Sequence, residues 1–537
     1  MTAAEKFILA IDLGTSGSKT ALVSVYGEVV DFEFQEVPLL LLPGGGAEQN
    51  PDDWWRAIMT TAKILLARGT VSPDQVVAVG LSCHWSGTVA VDRSGRPLMN
   101  AIMWMDSRGA APLYKNVLQG WPRVVGYPAR MLYDWIKITG GAPGHSGKDP
   151  LAHIHYIKEN CPDIYDRTSK FLEPKEYVNL CLTGLIASSF DSITLHWVTD
   201  NRDLARVDYH PKLLRMAGLP REKLPDLKRA IDVLGPLKKE VASELGLRPD
   251  VQVVMGSPDL QCAAVGSGAV RDYEGHSYLG TSSWVSAHVP FKKVDIFHGI
   301  GSFPCALPDR YFIIDEQETA GKSLTWLRDN ILYHQDELLQ EECLPNVYQV
   351  LDRVVAGTKP GANGVIFTPW LYGERTPVED NLIRASLINL SLENTRADLV
   401  RAIFEGVALN QKWSLGYVEK LMGRRMDVLN MVGGGANSDV WCQIFADVLD
   451  RTINQVQDPI QCNARGAAYI AAVGLGYIRF EDIHRHIRIK QVFKPNLDHR
   501  ALYDGLFREF MEIYRRTRPI CARLSKRAAA ACGPPLK

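Results

Sequence analysis

FILAIDLGTSGSKTALVSV, residues 7–25, is an apolar run, a turn and a second apolar run. The first run (Phe7 to Ile11) leads into Asp12, Gly14, Thr15 and Ser16, and the second (Ala21 to Val25) leaves the turn. Glycine accepts positive φ and short hydroxyl residues suit a tight tip, so the stretch reads as a β-hairpin. Backbone N–H groups and hydroxyls clustered at such a tip suit a phosphate. SYLGTSSWVSA, residues 277–287, repeats the scheme with Gly280, Thr281 and Ser282. Between the copies lies VVMGSPDLQCAAVGSG, residues 253–268, where Asp259 follows a strand-like run. Two matching tips with a lone carboxylate between them predict a nucleotide held between two similar domains. The carboxylate then stands where phosphate is passed on.

Composition bounds the rest. A chain of 537 residues exceeds one ordinary core, so two large domains are expected. With 46% hydrophobic and 23% charged residues the chain reads as globular and soluble. The net charge is −1 and no basic block stands out, which argues against nucleic acid as a partner. The apolar run Phe7–Ile11 is too short for a signal peptide, and Val37–Pro43 is too short to span a bilayer. The ten cysteines form no CxxC pair, and Cys262 and Cys442 sit inside apolar stretches. That pattern predicts reduced, buried thiols in a cytoplasmic protein rather than disulfides or zinc.

Strand-like runs at Val76–Leu81, Gln252–Met255, Val365–Thr368 and Val428–Val432 alternate with helical ones, which predicts an α/β fold. EQNPDDWW (48–55) reads as a helix start, with Asn50 as cap and Asp52 and Asp53 in the first turn. Thr395 and Asp398 form a capping-box pattern for a helix running to about Met422. Gly433-Gly434-Gly435-Ala436-Asn437 follows a strand and opens a helix whose Trp441, Ile444, Phe445, Val448 and Leu449 share one face. Residues 500–525 read as a basic amphipathic helix packed on the body.

Each motif has a structural and a functional reading. Asp12 and its hydroxyl neighbours are good turn formers, but the second copy favours a phosphate loop. Lys19 offsets phosphate charge or is an exposed strand lysine. Ser257-Pro258-Asp259 is a good helix start, with Ser257 as cap, and equally presents a base that accepts a hydroxyl proton during phosphoryl transfer. Ala263, Ala264, Gly266 and Gly268 permit close helix approach or are plain tight packing. The three glycines from Gly433 admit a base or phosphate, or simply join strand to helix. There is no GxxxxGK[ST] loop, and Gly14-Thr-Ser-Gly17 lacks Rossmann spacing and is followed by strand. Ser82-Cys-His-Trp-Ser-Gly87 at a strand end suits a sugar-like ligand, or His84 and Trp85 are a structural pair. Asp106 and Arg108 add to that site or pair with each other.

Jointly these stretches resemble the FGGY carbohydrate kinases, most closely their xylulokinase-like branch. The likeness rests on IDLGTS (11–16), EQNPDDWW (48–55), WMDSR (104–108), LGTSS (279–283), YGERTP (372–377), FEGVA (404–408) and GGGANSDVW (433–441), and runs to about residue 480. The resemblance implies two ribonuclease-H-like, actin-like ATPase domains with ATP and a sugar in the cleft between them. Residues 1–267 are then the N-terminal kinase domain on the sugar side. Residues 268–485 are the C-terminal domain on the nucleotide side, and 486–537 a helical extension. It further implies Asp259 as the base on the sugar hydroxyl and Asp12 near Mg²⁺. Gly14, Thr15, Ser16 and Lys19, with Gly280, Thr281, Ser282 and the 433–437 loop, then surround the nucleotide. His84, Trp85, Ser86, Asp106 and Leu260 fall on the sugar side. The implied partners are ATP and a small sugar or polyol, with no membrane or nucleic acid, and a homodimer stays open.

The chain also departs from that branch. Gln-Met-His-Gly is its pattern where this chain has His84-Trp85-Ser86-Gly87, so Ser86 replaces the histidine that touches the sugar. Leu260 stands where asparagine follows the catalytic aspartate, and the segment Arg108–Lys158 is longer than in the branch. D-xylulose is the default substrate; L-ribulose, glycerol, a heptulose or another polyol stay open. The departures predict that D-xylulose is not uniquely preferred. A non-catalytic ATP-driven protein of the actin/Hsp70 type shares the hairpins but not the stretches at 48–55, 104–108 and 372–377. An inactive sugar-binding regulator is at odds with intact Asp12 and Asp259.

Overall fold

The structure, a computed structural model, describes residues 5–331 and 346–531. Its first half is organised by a sheet of β1 (Phe7–Gly14), β2 (Gly17–Ser24), β3 (Val29–Glu36), β4 (Val76–Cys83), β5 (Val233–Pro236) and β6 (Gln252–Val254). The spatial order is β5-β6-β4-β1-β2-β3. The expected hairpin is there: β1 and β2 run antiparallel and close at Gly14 opposite Gly17. β4 lies parallel to β1, and β6 parallel to β4. Helix α1 (Pro51–Ala67) covers one face with Trp54, Ile58 and Leu65, and Asn50 caps it by accepting from the Asp52 N–H at 3.0 Å. Helices α2 (Pro174–Thr183) and α3 (Asp259–Gly266) complete the elements that matter here.

The second half repeats the plan. Its strands are β7 (Gly275–Leu279), β8 (Ser283–Val289), β9 (Val294–Asp295), β10 (Ile300–Pro304), β11 (Tyr311–Ile314), β12 (Val428–Val432), β13 (Thr452–Val456) and β14 (Ile489–Phe493). They are ordered β9-β10-β11-β8-β7-β12-β13-β14. Again a hairpin, β7–β8, has a parallel neighbour, β12, followed by a second parallel strand, β13. The expected 365–368 strand is Ile366–Thr368, paired outside this sheet with Ser386–Ile388. Helix α4 (Arg396–Met422) begins at the predicted capping box, where the Thr395 N–H donates to Asp398 at 2.7 Å. It is followed by α5 (Asp439–Leu449), α6 (Cys462–Gly474) and α7 (Arg500–Ala531). Helix α7 packs on the body, burying Tyr503, Phe510, Tyr514 and Cys521. No described helix is long and apolar enough to cross a membrane, and no two described cysteines are joined.

The halves exchange helices. Leu260 and Ala263 of α3 pack on Trp284, Val432 and Val456 of the second sheet. Ala464, Ala467, Ala468 and Ala471 of α6 pack on Ile8, Ala10, Ala21 and Val23 of the first. The two helices touch backbone to backbone. A Cβ on Gly266 would lie 1.9 Å from the Cys462 carbonyl oxygen, and one on Gly466 would lie 1.8 Å from that of Cys262. Only glycine fits either place, so Gly266 serves close helix approach.

Candidate active site

Strand pairing sets the position of Asp12. It faces Lys19 across the first hairpin and Ser82 on β4. The Ser82 hydroxyl donates to Oδ1 at 2.8 Å, while Lys19 Nζ lies 3.9 Å from Oδ2 and donates to the Ile460 carbonyl at 2.7 Å. Burial raises the Asp12 carboxyl above the ordinary carboxylate range, against the pull of Lys19 and hydrogen bonds from Ser82 and Asn463.

Ser257 and Pro258 run beside Ser82 and Cys83, which delivers Asp259 next to Asp12. The helix starts at Asp259 itself, with Pro258 in the cap position. Ser257, expected as the cap, donates its hydroxyl to Asp191 instead, because the strand pairing turns it inward. Asp259 keeps part of its surface open. Burial pushes its pKa up to about 8, with Asp12 and Glu316 adding to the rise, while the Leu260 N–H, 2.9 Å from Oδ1, opposes it. Two neighbouring carboxylates, each held above its ordinary range, are a donor set that fits a divalent cation. Mg²⁺ takes one or two carboxylates and otherwise water and phosphate oxygens. Among the described residues no cage of three or more His, Cys, Asp or Glu is assembled.

The residues expected on the sugar side are partly drawn together here. His84 is buried; its N–H donates to the Leu13 carbonyl at 2.8 Å, and Nδ1 lies 3.1 Å from the same oxygen. Its ring meets Trp54 edge-on at 5.5 Å rather than Trp85, and burial lowers it to about 4, so it is neutral. Trp85 donates Nε1 to the Ser192 carbonyl at 2.8 Å and packs beside Leu260 and Trp284. Ser86 adopts φ 66°, donates its N–H to Glu173 at 3.0 Å and its hydroxyl to the Lys148 carbonyl at 2.9 Å. Asp106 is committed elsewhere: it accepts from the N–H groups of Ala47 and Arg108 and from the Arg108 guanidinium. The pairing of Asp106 with Arg108 is thus the reading the structure holds. Leu260 is buried at the junction of the halves.

A band of groups closes the site that the sequence reading did not single out. Trp104 donates Nε1 to the Thr15 hydroxyl at 2.9 Å, and the Arg375 guanidinium lies over its ring at 5.9 Å. Arg375 pairs with Glu316 and, at 3.3 Å, with Glu318. Glu318 also pairs with Lys148 across the halves at 3.1 Å, and Lys148 lies over Tyr372 at 5.3 Å. The band runs from the hairpin tip to Ser86. The YGERTP stretch was the signal for it, since Tyr372 and Arg375 lie within.

In the second half, the Gly280 N–H donates to the Ser282 carbonyl at 3.0 Å, leaving Thr281 exposed at the tip. Gly433 adopts φ 92°, and a Cβ there would lie 2.6 Å from the Leu279 carbonyl oxygen, so the glycine loop abuts the second hairpin. Gly434 and Asn437 are exposed, Gly435 packs on Leu279, and Ala436 is buried. Nothing lies within 4 Å of where a Gly434 Cβ would stand. Gly433 also donates its N–H to Pro459, the residue before Ile460, so this loop and Lys19 meet at one turn.

Residues 7–266 match the N-terminal domain of the FGGY family of carbohydrate kinases, and residues 277–475 match its C-terminal domain. The chain is 29% identical to a xylulose kinase of Staphylococcus epidermidis over 533 residues, covering 97% of this chain and 99% of that one. Among solved structures, a gluconate kinase from Lactobacillus acidophilus superposes with TM-score 0.83 at 22% identity, covering 96% of this chain and 99% of that one. A ligand-bound xylulose kinase from the same organism superposes with TM-score 0.82 at 22% identity, covering 95% and 98%. The fold is that of these two-domain kinases, and the sequence-based expectation of the family holds. The reading as a non-catalytic ATP-driven protein is not favoured.

Proposed function

The chain belongs to the FGGY family of carbohydrate kinases, and from that premise we propose that it transfers the terminal phosphoryl group of ATP to a hydroxyl of a small ketose, D-xylulose first among them. The juxtaposition of Asp12 and Asp259 between the two hairpin tips carries this reading. Asp259 takes the proton of the attacking hydroxyl as its oxygen bonds to phosphorus, and a carboxylate raised toward neutrality holds that proton well. Asp12 is the residue that would hold Mg²⁺, which when bound would neutralise phosphate charge, and Asp259 beside it stays free to act as the base. The tips at Gly14–Ser16 and Gly280–Ser282 offer N–H groups and hydroxyls to phosphates, Lys19 offsets their charge, and the open face of Gly434 admits the nucleotide. The described cysteines, none of them joined to another, support a reducing, cytoplasmic setting.

The band beside the site favours a neutral sugar over a sugar acid. Lys148 and Arg375 are paired with Glu316 and Glu318, and Lys19 is turned to Ile460 and Asp12. A substrate carboxylate would break one of these pairs to find a cation. ADP release measured over D-xylulose, L-ribulose, a heptulose, glycerol and gluconate tests both parts. A ketose is expected to give the highest kcat/KM. A higher value for gluconate overturns the substrate class, and no sugar-dependent release overturns the function.

A further inference from the structure

Beneath the loop that carries Asp259 lies a buried charge cluster with no part in the chemistry above. Lys175, Glu176 and Asn179 at the start of α2 are at most 1% exposed, Glu173 just before them is 2% exposed, and Asp191 facing them is 1% exposed. Lys175 Nζ donates to Glu176 at 2.8 Å and to the Met255 carbonyl at 3.3 Å. Asn179 donates to that same carbonyl at 2.9 Å, and Asp191 accepts from the Ser257 hydroxyl. Both ends of Met255-Gly256-Ser257 are therefore tied to the cluster, and Asp259 follows two residues on. The sugar-side loop is tied to it as well. Glu173 accepts the Ser86 N–H at 3.0 Å, and the carbonyl of Ser192, next to Asp191, accepts from Trp85.

Stability is a poor reason for such a cluster. Well-packed apolar groups of the same volume usually serve a core as well as a buried ion pair. Here one lysine faces Glu173, Glu176 and Asp191, and each of these carboxylates keeps one oxygen without a hydrogen-bond partner, that of Glu173 lying 3.8 Å from His196 Nδ1. What the cluster supplies is geometry at two loops at once. Phosphoryl transfer depends on positioning, so a base moved by a fraction of a bond length loses much of its rate.

We propose that Lys175 is a positioning residue: it fixes the Met255–Asp259 segment through the Met255 carbonyl and, beside Glu173, the 85–86 loop. One buried hub then sets both the aim of the base and the seat of the sugar. The inference rests on the reading of Asp259 as base and of the 84–86 loop as the sugar side.

The test is the double variant Lys175→Met/Glu176→Gln, which removes both charges of the pair and keeps their volume. The kcat for the preferred sugar should fall on the order of 10–100-fold, with KM for ATP within about twofold of wild type. Ser257→Ala, which removes the tether to Asp191 and a longer contact with Gln261 Oε1 at 3.4 Å, should lower kcat about three- to tenfold with the same KM for ATP. Wild-type kcat in a folded double variant overturns the proposal, as does a rise in KM for ATP that matches the fall in kcat. If the double variant does not fold, Lys175→Arg, which keeps the charge and displaces the donor on the Met255 carbonyl, decides, and wild-type kcat there overturns it. Failure of the kinase reading looks different: the wild type itself then releases no ADP in response to sugar, and Asp259→Asn behaves like it.

Discussion

Two residues before its tip glycine, the first hairpin carries Asp12 opposite Lys19; one strand pairing away from the second tip, Tyr278 stands opposite Trp284. The first pair is ionic, with Nζ 3.9 Å from Oδ2. The second is a stack of two rings, with centroids 3.8 Å apart and planes 4° apart. On the neighbouring parallel strand, Asp12 faces Ser82 and Tyr278 faces Val432. Beyond Ser82 the chain enters the 84–86 loop, and beyond Val432 it enters the glycine loop. One backbone plan, used twice, thus places a charged corner in one half and an apolar one in the other. Phosphoryl chemistry needs charge at one place only, and the second copy is free to offer surface. Asp259 strengthens the asymmetry, since its helix α3 lies against the apolar half while the charge of Asp12 helps to raise its carboxylate.

The largest effect is expected where the charged corner ends. Asp259→Asn keeps the shape of the side chain and removes its basicity. It should lower kcat on the order of 10²–10⁴-fold while KM for ATP stays near wild type. Near-normal kcat on the preferred sugar would remove Asp259 from the mechanism and leave the comparison without a chemical meaning.

The paired hairpins can be tested against one another. Asp12→Ala should cost on the order of 10²-fold in kcat and raise the Mg²⁺ concentration needed for half-maximal rate. Tyr278→Leu removes the ring stack from the second hairpin; it should lower Tm and leave the Mg²⁺ titration where it was. Coincident Mg²⁺ curves for Asp12→Ala and wild type would show that the first corner does not differ in kind from the second.

The two loops beyond the hairpins give a smaller, crossed effect. Gly434→Val fills open space on the nucleotide side and should raise KM for ATP about tenfold, the equivalent of about 1.4 kcal/mol, with the order of sugars kept. Trp85→Ala should reorder kcat/KM among sugars and leave KM for ATP within about twofold, because a pocket discriminates by the groups it leaves unpaired. Ser86→His should act in the same direction, since it also frees the Lys148 carbonyl from its hydroxyl partner. If both classes of variant shift ATP and sugar alike, the loops are not divided between the two ligands.

What the sequence disclosed follows local rules. Hairpin tips, the Asn50 cap and the Thr395–Asp398 box are written in turn and cap chemistry within a few residues, and all three stand in the structure. Ser257 shows where that logic stops. It has good cap chemistry, but pairing of Ser257–Pro258 with Ser82–Cys83 delays the helix and turns the hydroxyl to Asp191. Lys148 and Glu318 are 170 residues apart and meet only because the halves close on each other. Glu173, Lys175 and Glu176 were invisible for another reason. A charged first turn ordinarily lies in solvent, and only tertiary packing reveals that this one is buried. Asp106 needed its partners on the page before its commitment to Arg108 was apparent.

The smallest effect concerns the fold rather than turnover, and it follows from the charge crowded into the first corner. Asp259 has an ordinary value of 3.8 and is held at about 8 in the folded protein. Between those values the native state keeps a proton that the unfolded chain releases. Stability contributed by this group is therefore complete below about pH 3.8 and is lost as pH climbs to about 8, after which the loss levels off. Asn at this position has no proton to lose. Thermal unfolding of the ligand-free protein should thus give Asp259→Asn and wild type similar Tm values at low pH, with the variant higher by a few degrees near pH 8.5. Glu316→Gln should narrow that gap, because Glu316 is one of the charges that raise Asp259. A gap that stays constant across the pH range would mean that Asp259 is not raised, and that the first corner is less crowded with charge than its contacts indicate.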